Sequence, residues 1–190
     1  AKNMIISTGM STFDEIDRTY KVLKDTNVEF CFLNCTSEYP PIYEDLNLRV
    51  IPKMIERYKD IMIGHSDHTP EIFSSIASVV LGAKIVEKHV TLDRSMKGPD
   101  DDVSIEFKEF KEMVKQIRNM EKALGDKKIV NLREKKIREW AFRSVVTLQN
   151  ISKDQIISKE MVWSKRPGTG IPSYKINEVI GKKAKKEEEK

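Results

Sequence analysis

The chain has 190 residues, enough for one medium domain plus a small module, and its 39% hydrophobic and 7% aromatic content can fill a core. Lys and Arg number 34 against 30 Asp and Glu, and the resulting charge of +4 is too small and too interspersed for a nucleic-acid footprint. No run approaches the ~18 apolar residues of a membrane helix and no signal-peptide pattern is present, so neither nucleic acid nor membrane is an expected partner and a cytoplasmic location is expected. Cys31 and Cys35 lie on one apolar run, too far apart to bridge easily, and reduced thiols suit that setting.

In chain order, residues 4–7 read as a strand ending at Thr8-Gly9. Thr12-Phe13-Asp14-Glu15 is a capping box, and apolar residues at 16, 20 and 23 carry a helix to about residue 24. Residues 29–35 are almost continuously apolar, as in a parallel strand covered on both faces. Pro40-Pro41 closes the exit loop, and apolar spacing predicts a helix over 44–58. Residues 60–64 are a third strand, and Thr69-Pro70-Glu71 reads as a helix start. Small residues fill that helix and Gly82 ends it. Residues 84–90 are the fourth strand; Ser104 caps a helix to residue 124, closed by Gly125. Strand and helix alternate four times with short loops, which means parallel strands with crossover helices, in a half-barrel or a small doubly wound sheet.

Residues 125–136 read as a charged linker. Beyond it the character changes: short strands at 143–148 and 161–165, a loop Lys165-Arg166-Pro167-Gly168-Thr169-Gly170-Ile171-Pro172, a helical turn at 176–180 and a charged tail over 182–190. The expected division is residues 1–125, a linker over 126–136, and a small, mostly β module over 137–190.

All three histidines lie within residues 61–100. Side chains alternate along a strand, so Ser66 shares a face with His68, and Glu87 with His89. Two imidazoles at the ends of neighbouring strands, with water and a substrate oxygen, suit Mn²⁺, Zn²⁺ or Fe²⁺. His65 has the opposite parity from His68 and reads as structural, facing the helix layer. Glu87 can be a general base, an orienter of histidine, or a partner for Lys88. Asp100, in a Gly-Pro turn, reads as turn chemistry. Ser7, Ser37 and Ser66 close three successive strands and suit either phosphate binding or helix capping.

Six ordered segments carry a resemblance: Ser7-Thr8-Gly9-Met10-Ser11-Thr12, Cys35-Thr36-Ser37-Glu38-Tyr39-Pro40, Gly64-His65-Ser66-Asp67-His68-Thr69, Glu87-Lys88-His89-Val90-Thr91-Leu92-Asp93, Gly98-Pro99-Asp100 and Lys165-Arg166-Pro167-Gly168-Thr169-Gly170. In this order the chain resembles the sialic acid synthase family, which includes N-acetylneuraminate, legionaminate and pseudaminate synthases. The resemblance implies the C-terminal half of a (β/α)₈ TIM barrel followed by a small SAF (antifreeze-like) domain that is incomplete here. It implies a C–C bond-forming transferase that condenses phosphoenolpyruvate with an N-acetylated amino sugar of the N-acetylmannosamine type, giving a sialic acid and phosphate. His68 and His89 would be metal ligands, for Mn²⁺ first and Mg²⁺ or Co²⁺ as alternatives. Ser7, Ser37 and Ser66 would contact phosphoenolpyruvate, Tyr39 and Asp100 the sugar, and Glu87 would assist. Arg166 would reach from the SAF domain into a partner's barrel in a domain-swapped homodimer.

Asn34, Ser37, His65 and Asp101-Asp102 depart from the family's usual residues, which leaves the sugar open between the sialic, legionaminic and pseudaminic types. The family's residues from strands one to four are expected to lie outside these 190 residues, so the polypeptide alone is expected to be inactive. Two other readings stand beside the synthase: a non-catalytic interaction module, and a metal-dependent hydrolase or aldolase with a further carboxylate near His68 and His89.

Overall fold

The computed structural model describes residues 3–96 and 98–187. The chain divides into two compact units, Ala1–Gly125 and Asp126–Lys190. In the first, β1 (Asn3–Ser7), β2 (Glu29–Cys35), β3 (Met62–Asp67) and β4 (Val86–Lys88) form one parallel sheet in sequential order. Helices α1 (Phe13–Lys24), α2 (Val50–Arg57) and α3 (Phe73–Val80) make the crossovers. A two-stranded parallel ladder of β5 (Val90–Thr91) and β6 (Ile105–Glu106) leads into α4 (Phe107–Ala123).

The register sets Ile6 beside Phe32 and Phe32 beside Ile63. Phe32 and Ile63 pack with Ile16 of α1, Ile51 and Met54 of α2, and Tyr58. Val86 shares their face and packs with Ile76 and Val79 of α3 and Met113 and Ile117 of α4. All four helices therefore cover the same face of the sheet. On the other face Ile5 is 61% and Met62 57% exposed. A doubly wound sheet needs helices on both faces and a reversal of strand order. Sequential order with one covered face is the parallel half-barrel arrangement.

The elements differ from the sequence expectation in ways with local causes. The expected helix over 44–58 is split: a 3₁₀ turn spans Tyr43–Leu46, Asn47 turns left-handed at φ 44°, and α2 begins at Val50. Pro52 fits only in the first turn of a helix, which fixes that start. β3 runs on to Asp67 because β4 pairs with its last three residues. Thr69 does not start α3; its N–H and hydroxyl both donate to Asp67 Oδ1 at 2.9 Å. The fourth strand breaks at His89, where β4 pairs backward with β3 and β5 forward with β6. Glu106, paired reciprocally with Glu109, caps α4, and Ser104 donates instead to the Asp100 carbonyl at 2.7 Å.

In the second unit a helix, α5 (Leu132–Ala141), starts inside the expected linker and runs past its end at residue 136, begun by Asn131 accepting from the Glu134 N–H at 3.0 Å. Capping by this Asn and Glu outweighs the solvated look of the charge run. β7 (Ser144–Thr147) pairs antiparallel with β8 (Val162–Lys165). Ser144 Oγ donates to the Pro167 carbonyl at 2.7 Å and accepts from the Gly170 N–H at 2.8 Å, fastening the Gly/Pro loop. A short helix, α6 (Ile176–Val179), follows. The tail is not all loose charge: Ala184 is buried and exchanges backbone bonds with Asp154 and Gln155. Residues 188–190 lie outside the described residues. No helix among the described residues is long and apolar enough to cross a membrane.

Two outcomes follow from this packing. A Cβ at Gly64 would stand 2.4 Å from Leu33 Cδ2 and 2.6 Å from the Ile85 carbonyl oxygen. Gly64→Ala is therefore expected to cost about 1–3 kcal/mol in denaturant unfolding, since a backbone atom cannot step aside. His65 is 1% exposed on the helix-facing side, with Nδ1 3.0 Å from the Asn34 carbonyl oxygen. Burial pushes its pKa below the ordinary value, against the pull of Asp67. The unfolded chain takes up a proton at about pH 6.5 and the folded chain resists it, so stability falls as pH drops through that value. His65→Phe is expected to flatten that part of the stability profile.

Candidate active site

The site is built on the face of the sheet turned away from the helices. β3 and β4 pair Ser66 with Glu87, and both side chains point to that face. Ser66 Oγ donates to Glu87 Oε1 at 2.7 Å, and Ser7 Oγ at the end of β1 reaches the same oxygen at 3.4 Å. Three strand ends thus meet on one carboxylate.

One pleat further along, the two histidines come together. The rings of His68 and His89 lie 5.2 Å apart between centroids, edge to face. Tyr39, from the loop after β2, stacks on His68 at 4.3 Å and meets His89 edge-on at 5.7 Å. Its hydroxyl is 3.2 Å from His68 Nε2, and Ser66 Oγ is 3.5 Å from the same nitrogen. Burial, with Cys35, Asp100 and Glu87 nearby, pushes the Tyr39 phenol above its ordinary value, so it remains a donor at neutral pH. Asp100 lies in the turn that Ser104 closes, and its Oδ2 is 3.7 Å from His89 Nδ1. It therefore serves the turn and faces the site.

Ser37 sits beside this group, its Oγ 3.8 Å from Cys35 Sγ, and is not hydrogen-bonded to Glu87 or the histidines. Its loop closes against Gly9, where any Cβ would come within 2.0 Å of Ser37 Oγ. Arg166 belongs to the second unit, where Nε donates to the Ala141 carbonyl at 3.1 Å and the guanidinium lies 5.3 Å from the Trp140 ring centre.

The donor set fits a divalent metal in one specific way. His68 Nδ1 faces the Thr36 carbonyl oxygen at 2.8 Å. A carbonyl only accepts, so Nδ1 carries the proton and the Nε2 lone pair points into the site. With His89 alongside, the chain offers two imidazoles. No group of three or more His, Cys, Asp or Glu side chains suited to a metal occurs among the described residues. Remaining coordination positions would be left for oxygen ligands such as water, an open arrangement rather than a closed structural site.

Sequence reasoning missed the far side of these strands. Lys88 is not paired with Glu87, which points to the opposite face; its partner is Asp67, Nζ to Oδ2 at 3.3 Å, with both side chains buried. Parity carries that signal: Asp67 and Lys88 are charged residues on the helix-covered side of their strands. The Thr36 carbonyl had no side-chain signal to find.

Two family models match the chain: the NeuB family over residues 1–129 and the SAF domain over residues 142–187. Among sequence relatives, a pseudaminic acid synthase of Campylobacter jejuni is 39% identical over 188 residues, 98% of this chain and 54% of that protein. An N,N'-diacetyllegionaminic acid synthase of Campylobacter jejuni is 38% identical over 190 residues, 97% of this chain and 56% of that protein. A solved N-acetylneuraminic acid synthetase of Leptospira borgpetersenii, in complex with citrate, is similar with a TM-score of 0.64 at 34% identity, covering 70% of this chain and 47% of that one. The chain spans about half the length of the curated relatives it matches. The NeuB match covers more than half of the chain and is followed by an SAF domain: this chain is a member of the NeuB family.

Proposed function

We propose that the four βα units form half of a (β/α)₈ barrel in an enzyme of the sialic acid synthase kind. The reaction joins phosphoenolpyruvate to the aldehyde of an N-acetylated amino sugar and releases phosphate. The observation that carries this reading is the convergence of Ser7, Ser66, Glu87, Tyr39, His68 and His89 at the strand C-termini, the catalytic end of such barrels.

The chemistry asks for three things. The methylene carbon of phosphoenolpyruvate attacks the aldehyde carbon, forming the C–C bond, and the aldehyde oxygen takes a proton. Water adds to the cationic C2 and loses a proton. The C2–O bond to phosphate breaks as the new C2 hydroxyl gives its proton to the departing phosphate, leaving a 2-keto acid. His68 and His89 would hold Mn²⁺, or Mg²⁺ or Co²⁺ in its place, and the bound ion supplies Lewis acidity toward the aldehyde. Glu87, fixed by Ser66 and Ser7, is placed to take the proton of the incoming water. Ser37, with Ser7 and Ser66, lies where a phosphate would meet the loops that open α1 and α2. Tyr39 offers its phenol hydrogen, and Asp100 its carboxylate, to hydroxyl and amide groups of the sugar. Arg166, a planar five-donor group, would act on the barrel of a second copy in a domain-swapped homodimer. The relatives' names support an N-acetylneuraminate, legionaminate or pseudaminate type of product.

Phosphate release is the direct test, using the complete barrel protein with phosphoenolpyruvate and a panel of N-acetylated amino sugars. Release that requires both the sugar and a divalent ion is the expected result; release without sugar would indicate a hydrolase. His68→Ala is expected to lower kcat by about 10²–10³-fold, the scale of losing one preorganised electrostatic contact. Glu87→Gln is expected to lower kcat by about 10²–10⁴-fold with little change in KM for phosphoenolpyruvate.

A further inference from the structure

The buried ion pair on the helix side of β3 and β4 lies one residue before each histidine. Asp67 and Lys88 are register partners, and theirs is the last pairing of the two strands. Beyond it His68 and His89 have no shared backbone ladder. Asp67 is fully buried, and both carboxylate oxygens are used. Oδ1 accepts from the Thr69 N–H and hydroxyl at 2.9 Å, and Oδ2 from Ser74 at 2.6 Å and Ser75 at 2.5 Å, with Lys88 Nζ at 3.3 Å. Burial disfavours the carboxylate, yet the Lys88 ammonium and the hydroxyls of Ser74 and Ser75 outweigh it and hold the carboxyl below its ordinary value.

Lys88 does more than balance that charge. Its Nζ also donates to the Thr69 carbonyl and lies 3.5 Å from the Thr69 hydroxyl. One ammonium on β4 thus grips the residues on both sides of His68, while its own backbone runs directly into His89. His89 is held from the other side, where its carbonyl accepts from the Ile105 N–H at 3.0 Å.

A pair of this kind is a poor device for stability alone, because packed apolar groups in its place are often as stable or more so. Its value is directional. We propose that Asp67 and Lys88 are positioning residues that set the separation and orientation of the His68 and His89 imidazoles for one divalent ion. The proposal rests on the two-histidine metal reading of the site.

The test is a Co²⁺ titration of the complete barrel protein, followed by visible absorption, on the wild type, Lys88→Met and the double variant Asp67→Asn with Lys88→Met. The single variant leaves a buried carboxylate without its cation and can fail to fold; the double variant leaves no unpaired charge. Circular dichroism establishes which are folded at the titration temperature. A folded variant is expected to bind Co²⁺ about 10–100-fold more weakly, with a shifted absorption band, as when an outer partner of a metal ligand is lost. Wild-type affinity and band in either folded variant would overturn the proposal. So would failure of both variants to fold, which would make the pair a folding element. A wild-type protein that binds no Co²⁺ contradicts the metal site itself, an outcome separate from a wild type that binds and a variant that matches it.

Discussion

The register of β3 against β4 is the constraint on which the site depends. Ser66 opposite Glu87 and Asp67 opposite Lys88 place two kinds of polar chemistry on opposite faces of the same strands. A slip of one residue would exchange them, burying the Glu87 carboxylate under α3 and turning the ion pair into the open face. Gly64, three residues earlier, lets Leu33 and the Ile85 backbone close on β3, so the strands reach this register without a bulge. Packing at the base of the sheet therefore fixes chemistry at its end.

Much of this was legible in the residues. The capping box at Thr12 and the apolar run over 29–35 specified their elements because each signal is local. Period-two alternation placed Ser66 with His68, which is the arrangement found, and Ser66 also meets Glu87 while His68 meets His89. It also turned His65 to the other side. The failures have different causes. Thr69 and Ser104 bond to near neighbours in the preceding turn, the Asp67 carboxylate and the Asp100 carbonyl, where a cap pattern reads them forward into a helix; the break at His89 depends on a distant partner, the Ile105 N–H. A hydroxyl before a proline looks like a cap until a buried carboxylate claims it. The helix over Leu132–Ala141 was hidden by its charge, since a run of Lys, Arg and Glu suits a solvated helix as well as a linker.

The site's electrostatics divide labour between the two faces. On the open face Ser7, Ser66, Glu87, Tyr39, His68 and His89 gather at the strand ends, with Asp100 beside His89. Fixing His68 Nδ1 on a backbone carbonyl turns the Nε2 lone pair toward the open face. On the covered face, charges that never meet solvent tie the strands and α3 together. Family membership explains why the βα units are followed by an SAF domain.

Anomalous diffraction at the manganese edge, from crystals of the protein grown with Mn²⁺ and phosphoenolpyruvate, tests the central claim most directly. One strong peak between His68 Nε2 and the His89 imidazole, with Tyr39 displaced from its contact with Nε2, is the predicted result. A peak at another place, or ordered phosphoenolpyruvate with no metal at the two histidines, would contradict it.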